Sequence, residues 1–459
     1  MTTRLRAAAV LAAAALLALT GCGRSGEPGR EDGGGGGTPA VAAEFGDLGA
    51  VCGSGAPTKA TGRGVTAESV TVGVVADLGF TKNPEFIEAA EVFTAWCNDH
   101  GGIAGRRIEL KVRDTRLTEV KQRMLESCRD DFALVGGGAG LDSLGVKDRL
   151  NCLLPSFPAQ VAQPGSVGAD LEVSASPTTL PRHDIYTGFR QWLLEAYPAS
   201  RDRIGYVSAD SPVSKILGDK GKESFEALGA SIVYDDRYPI AGVPDWTPFA
   251  QALKDREVRG LVFNGEPRQL AKLEEALTGI GYRPDWIDAT NNNYSAGFLS
   301  DLGQSLAFQN NVADLGGVSP IEEGAAVPVM AQVRKLFAAY APDSTLSFPQ
   351  LRSLSAWLLF AKAASSCGDD LTPRCVYEAA SAEQAWTAGG LQAPIDLTDR
   401  DGTSVCFDIE QATPDGWKPA DFRPDTGPYR CDVRPYAFRR DYGAPLTLAD
   451  VGKSLADLR

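Results

Sequence analysis

Val70 to Ala76 is a short, β-branched apolar run, the pattern of a strand buried on both faces, and Asp77, Leu78 and Gly79 end it. Beyond Asn83 and Pro84 the apolar positions Phe86, Ala89, Ala90, Phe93 and Trp96 recur at helical spacing, with Asn as the cap and Pro in the first turn. Gly101, Gly102 and Gly105 stop that helix. Arg107 to Arg113 then alternates Ile108, Leu110 and Val112 with polar residues as far as Asp114, which predicts a second strand. The three segments make a β-α-β unit.

The rhythm continues. Thr118 to Arg129 reads as a charged helix and Phe132 to Val135 as a third strand, followed by the loop GGGAGLDS. Glycines at 136–138 and 140 let backbone amides approach a ligand, and Asp142 or a neighbour caps the next helix. Leu153 and Leu154 with SFPA give another strand, and the Pro- and Gly-bearing stretch to Pro181 suits a passage between two bodies. A second set follows: strands at Ile204–Ser208, Ser231–Tyr234, Gly260–Phe263 and Trp286–Ala289, alternating with helices at Val213–Leu228, Trp246–Arg256 and Gln269–Ile280. Such alternation predicts parallel sheets with helices on both faces. The loops ADSPVS, NGEP and TNNNY all follow strand ends, where ligands bind in open sheets of this kind.

The chain has 459 residues, 43% of them hydrophobic, enough for two ordinary cores. Its formal charge is −14, and loss of the first 21 residues, which carry Arg4 and Arg6 and no acid, makes it −16. Nucleic acid and anionic membrane surfaces are therefore poor partners, and no nucleic-acid partner is expected. Arg4, Arg6 and the apolar run Ala7–Leu19 suit a secretory signal peptide, too short to span a bilayer comfortably. Leu19-Thr20-Gly21-Cys22 resembles a bacterial lipobox, which implies that Cys22 becomes the lipid-carrying first residue. Gly23 to Ala50, with glycine throughout 33–37 and few large apolar residues, reads as a flexible tether.

Chemistry-bearing motifs are few. The glycine run follows the third strand rather than the first and has Ser143 where the last glycine of a dinucleotide fingerprint falls, so no nucleotide cofactor is expected. The chain contains no CxxC and no G-x-S-x-G, and neither His100 nor His183 has a metal-ligand partner four residues on. No metal, no cofactor and no catalytic residue is expected. Apart from Cys22 there are eight cysteines, an even number that in an exported protein argues for disulfides.

Strand, helix, GGIAGRRIEL and a terminal Asp, in this order, resemble the amino-terminal lobe of type I periplasmic solute-binding proteins of ABC transporters, in particular the branched-chain-amino-acid-binding (leucine-binding) family. The resemblance runs from about Ser69 to the region of Trp417. It implies an α/β fold of two lobes, each a parallel-sheet α/β sandwich, joined by three hinge crossings. The expected divisions are a signal peptide at 1–21, a tether at 22–50, the first lobe at 51–182 and 317–395, and the second lobe at 183–316 and 396–459 with the tail. That tail, beyond Cys431, has no counterpart in the family. A family bridge resembles Cys128–Cys152, which leaves Cys52–Cys97 at the same sheet edge and the local pairs Cys367–Cys375 and Cys406–Cys431.

Placed on this frame, the ligand wall comprises Asp77, Leu78, Gly138, Ala139, Gly140, Ser156 and Phe157 from the first lobe, with Ser211, Glu266, Asn291 and Tyr294 opposite. Hydroxyl side chains hold the ligand carboxylate in the resembling receptors; the corresponding places here look like Ala139-Gly140 and Ala159-Gln160. Glu266 stands where the family often has an aromatic residue and suits a ligand ammonium or polyol hydroxyl. The expectation is a lipid-anchored, monomeric extracytoplasmic receptor that closes on a small polar molecule, an amino acid or related, and delivers it to an ABC permease; a standard branched-chain amino acid fits less well. Competing readings are a sensor of the same fold and a hydrolase on a two-lobed scaffold, the latter without a catalytic constellation to support it.

Overall fold

The computed structural model describes residues 43–78, 84–322, 327–400 and 405–459. The signal segment, Cys22, the lipobox and the tether to Ala42 lie outside the described residues, as do Gly79 and the Asn83 cap; residues 43–50 of the expected tether are described, and Phe45 among them is buried against Trp96 at 6.2 Å between ring centroids.

In the first lobe, strands β1 (Ser69–Ala76), β2 (Arg107–Asp114), β3 (Ala133–Val135) and β4 (Ser156–Phe157) form a parallel sheet in the order β2-β1-β3-β4. The ladder between β1 and β2 runs in register from Ser69 opposite Arg107 to Ala76 opposite Asp114. The helix Glu85–Asp99 buries Ala89, Ala90, Phe93 and Trp96 of the apolar stripe, with Phe86 half-buried at its start, and its Phe93 ring stacks on Trp357 at 5.4 Å between centroids. Trp357 belongs to the helix Phe348–Cys367, which is buried along nearly all of its 20 residues and starts with a capping box between Ser347 and Gln350.

The second lobe contains β6 (Ile204–Ala209), β7 (Ile232–Tyr238), β8 (Gly260–Asn264), β9 (Trp286–Asp288), β10 (Asn311–Asp314), β11 (Ile409–Thr413) and β12 (Gly416–Pro419), in the order β12-β11-β10-β9-β8-β6-β7. β10, absent from the alternation of strands and helices expected from the sequence, pairs parallel with β9. Its four residues are all buried, and the polar Asn311 that disguises the strand donates to the buried Glu274 at 2.8 Å. β11 and β12 close that edge antiparallel. In both lobes the strand order reverses beside the first strand, so each sheet has a crevice at the carboxyl ends of β1 and β3, or of β6 and β8.

Three passages connect the lobes, after β4, after β10 and before β11. They are hydrogen-bonded to one another: Ser319 N donates to Leu391 O at 2.9 Å, Ala393 N to Gly317 O at 2.7 Å, and Gln392 Nε2 to Ala175 O at 2.8 Å. The four bridges are Cys52–Cys97, Cys128–Cys152, Cys367–Cys375 and Cys406–Cys431.

The tail crosses once more. β13 (Tyr436–Ala437) pairs with β5 (His183–Asp184), and Glu223 on the second-lobe helix Pro212–Ala227 accepts from Tyr436 Oη at 3.0 Å, Arg439 N at 2.6 Å and Tyr442 Oη at 2.8 Å. The chain then reaches the first lobe, where Leu446 N donates to Gly165 O at 3.1 Å, Leu448 N to Asp170 Oδ2 at 2.7 Å and Arg374 Nε to Leu458 O at 2.8 Å. The tail is thus a strap outside the three passages.

Candidate functional site

On the first lobe the structure joins Asp77 to the glycine loop. The Asp77 carboxylate accepts from Gly140 N at 2.6 Å, from Leu117 N at 3.1 Å and from the Thr115 hydroxyl, so it braces the loops after β1, β2 and β3. Burial pushes its carboxyl up from the usual aspartate range, against those hydrogen bonds. Leu78 is half-buried beside it and packs on the core.

The glycines serve close packing. Gly136 has φ +69°, and a Cβ there would lie 2.3 Å from Trp357 Nε1; one on Gly137 would lie 2.3 Å from Val75 O. Gly136 N donates to Phe157 O at 2.8 Å and Gly138 N to Val75 O at 2.9 Å. With Gly140 N held by Asp77, three of the amides expected to meet a ligand are committed within the protein. Gly138, Ala139 and Ser156 line a cavity of about 60 Å³ inside the first lobe rather than the space between lobes. Phe157 is fully buried, 5.6 Å from Phe360, and supports the sheet from its core.

On the second lobe Ser211 caps the helix Pro212–Ala227, accepting from Ser214 N at 3.1 Å. Tyr294 is fully buried: its hydroxyl accepts from Ile321 N at 2.8 Å and donates to Glu322, while its ring meets Phe348 of the first lobe at 6.0 Å and Trp417 at 5.1 Å. Asn291 opens the turn Asn291–Asn293, and its side chain lies outside the description. Glu266 precedes the helix Pro267–Gly279; desolvation and then the negative Glu85, at the start of the first lobe's first helix, raise its carboxyl. The start of the first lobe's first helix thus stands near the second-lobe loop after β8.

One residue at this junction was not singled out from the sequence. Arg352 sits near the start of the helix Phe348–Cys367, 3% exposed, with its guanidinium 4.8 Å over the Phe348 ring and its Nη2 3.5 Å from Asn292 Oδ1 of the second lobe. Its Nε is buried without a partner, and burial lowers its pKa to about 10. A lone arginine in the apolar run FPQLRSLSAWLLFA was the signal, since a helix buried on every face leaves a charge no route to water.

Below the second-lobe crevice lies a group of buried acids. Asp184 pairs with Arg190 at 2.8 Å, whereas Asp314 and Asp408 each keep one oxygen without a partner. Burial pushes Asp314 up to about 8 and Asp408 well above its ordinary range. Among the described residues no group of three or more His, Cys, Asp or Glu is placed to hold a metal ion. A second cavity, about 180 Å³, lies in the hinge between the first and third passages and is lined largely by apolar residues such as Val173, Leu180, Pro394 and Leu397; it shares Val161 and Glu172 with the smaller cavity.

Residues 182–407 match the family described as periplasmic binding protein. Among solved structures, a fatty acid ABC transporter substrate-binding protein from Thermomonospora curvata has a TM-score of 0.64 at 18% identity, covering 84% of this chain and 97% of that one. A leucine-binding protein from Thermotoga maritima has 0.60 at 11%, covering 76% and 97%. A branched-chain amino acid transporter substrate-binding protein from Streptococcus pneumoniae, in complex with isoleucine, has 0.60 at 15%, covering 80% and 100%. Among curated proteins none matches this chain. The two-lobed α/β fold of type I binding proteins is thereby shown, and the family and these neighbours are solute-binding receptors rather than enzymes.

Proposed function

We propose, from the premise that this chain is a type I periplasmic binding protein, that it is a lipid-anchored extracytoplasmic receptor which closes its lobes on a small polar solute, an amino acid or a related molecule, and delivers it to an ABC permease. The observation that carries this reading is the meeting of two crevices of the same strand order across three hydrogen-bonded passages, with Tyr294 against Phe348 and Asn292 against Arg352 at the junction. A ligand that touches both lobes does so only when they are closed, and so favours closure by differential contact.

Glu266, with Glu85 facing it, supports a ligand that carries an ammonium or several hydroxyls, because a cation between two carboxylates relieves their repulsion. Leu78 and Asn291 remain candidate contacts by position; Asp77, Ser211 and Tyr294 shape the walls, and Gly138 and Ala139 face the first-lobe cavity. A second reading, an acyl-chain acid, draws on the apolar lining of the two adjoining cavities and on the fatty acid receptor of like fold. Mass spectrometry of whatever small molecule copurifies with the full chain separates the two: an amino compound supports the first, an alkanoic acid the second. Anchoring rests on the lipobox-like Cys22. A Cys22→Ala variant is expected to leave the membrane fraction or to remain unprocessed, and unchanged detergent-dependent fractionation counts against the anchor.

A further inference from the structure

Among the described residues four arginines are deeply buried besides Arg352, and each is answered. Arg106 donates to Thr66 O, Gly368 O and Lys59 O at 2.9, 2.8 and 3.1 Å; Arg113 pairs with Asp131 at 2.6 Å; Arg190 pairs with Asp184 at 2.8 Å. Arg149 donates to the carbonyls of Leu154, Leu171 and Asp170 at 3.3, 3.1 and 3.0 Å. Arg352 differs. Among the described residues no carboxylate lies within ion-pair distance of it, its Nε has no partner, and its hydrogen bonding comes down to the 3.5 Å contact with Asn292. Folds keep buried charges paired because an isolated buried ion is strongly destabilising.

Its position gives the exception a use. Asn292 belongs to the second lobe and Phe348, under the guanidinium, touches Tyr294 of that lobe, so Arg352 lies where the two lobes meet. A separation of the lobes would remove the Asn292 contact. Next to it, Ser353 Oγ donates to Gly136 O at 2.7 Å, which fixes this turn of helix against the glycine loop and holds Arg352 in place.

We propose that Arg352 is the seat for the ligand's carboxylate, so that the solute on which this receptor closes is an organic acid or a zwitterion rather than a purely cationic or neutral molecule. The planar fork of a guanidinium matches a carboxylate through two parallel hydrogen bonds, and both its Nε and an Nη are at hand for them. The Phe348 ring packs one face of the guanidinium and leaves its edge for the acid. Closure on an acid then converts an uncompensated buried charge into a buried ion pair, which ties ligand charge to lobe closure. Hydroxyl side chains, absent from the loops at Ala139-Gly140 and Ala159-Gln160, are not needed for the acid group in this arrangement. This inference rests on the receptor reading and narrows its ligand class.

The test compares acids with their amides on the full chain after ligand stripping: L-leucine, hexanoate and benzoate against leucinamide, hexanamide and benzamide, by titration calorimetry and small-angle scattering. At least one acid is expected to bind with closure and its amide roughly tenfold more weakly or worse. In Arg352→Met that preference is lost, while Arg352→Lys retains part of it as a point charge without the fork. Removal of an unpaired buried charge also leaves the ligand-free Arg352→Met protein melting no lower than wild type. Should that variant fail to fold, the acid-to-amide ratio of Arg352→Lys decides. An amide that binds with closure as tightly as its acid, or an acid that binds Arg352→Met unchanged, overturns the seat and leaves the receptor reading standing. Absence of binding by all six compounds counts against both.

Discussion

The hydroxyl of Tyr294, on a loop of the second lobe, accepts a hydrogen bond at 2.8 Å from the backbone N of Ile321, on the passage that returns the chain to the first lobe. The same hydroxyl donates to Glu322, and the ring is packed between Phe348 and Trp417. Tyr294→Phe keeps the packing and strips the passage of its partner. It is expected to lower stability by about 1–3 kcal/mol, the cost of an unsatisfied buried donor, read from the urea midpoint at unchanged slope. A variant as stable as wild type places the Ile321 amide in water.

The strap makes a second prediction. Truncation after Tyr442 removes Leu448 and Leu458, 3% and 2% exposed, together with the partners of Asp170 and Arg374. Each buried leucine contributes about 1.5–3 kcal/mol. The truncated protein is expected to melt lower, and first-lobe sites around the helix Ser143–Asn151 are expected to become protease-sensitive before second-lobe sites. Uniform sensitivity of both lobes goes against a strap seated on the first.

Stability should also carry the mark of Asp314. Desolvation and the nearby Asp288 raise its carboxyl from 3.8 to about 8, so the folded protein holds a proton that the unfolded chain releases above about pH 4. That contribution to stability is fully present below 3.8 and is lost as pH rises through about 8. Asp314→Asn keeps the acceptor for Gly316 N, at 2.7 Å in the wild type, without the ionisation. Its stability is expected to fall less steeply across that window; identical slopes for the two proteins exclude Asp314 as a source.

The four bridges predict no labelling of Cys52, Cys97, Cys128, Cys152, Cys367, Cys375, Cys406 or Cys431 in the native protein. Reduction is expected to cost about 2–4 kcal/mol per bridge. In the chain-entropy account the loss is largest for Cys52–Cys97, 45 residues apart, and smallest for Cys367–Cys375, 8 apart, which single bridge-removing Cys→Ala pairs measure by melting.

What the sequence made legible was whatever is local and periodic. The run Val70–Ala76, the stripe from Phe86 to Trp96 and the alternation before Asp114 each encode an element by spacing alone, and all three form. β10 escaped because the buried Asn311 and Asp314 at its ends break the apolar signature, their polarity being met by Glu274 and the Gly316 amide. The tail escaped because its contacts, such as Tyr436 with Glu223 and Arg374 with Leu458, are made across many residues of chain. At the site, loop positions were read from strand ends, but which donors stay free was not: Asp77 spends its oxygens on Gly140 and Leu117, and the glycines answer to Trp357 and Val75. Arg352 stands on a helix, away from the strand-end loops where open α/β sheets place ligand contacts.

The central claim is that the two lobes close on a ligand held between them. Small-angle scattering of the full chain as purified, compared with the same protein stripped of ligand in guanidinium with its disulfides intact and then refolded, tests it most directly. The account predicts a larger radius of gyration for the stripped protein and its return to the smaller value when the copurified molecule is added back. Identical dimensions in all three states would contradict it.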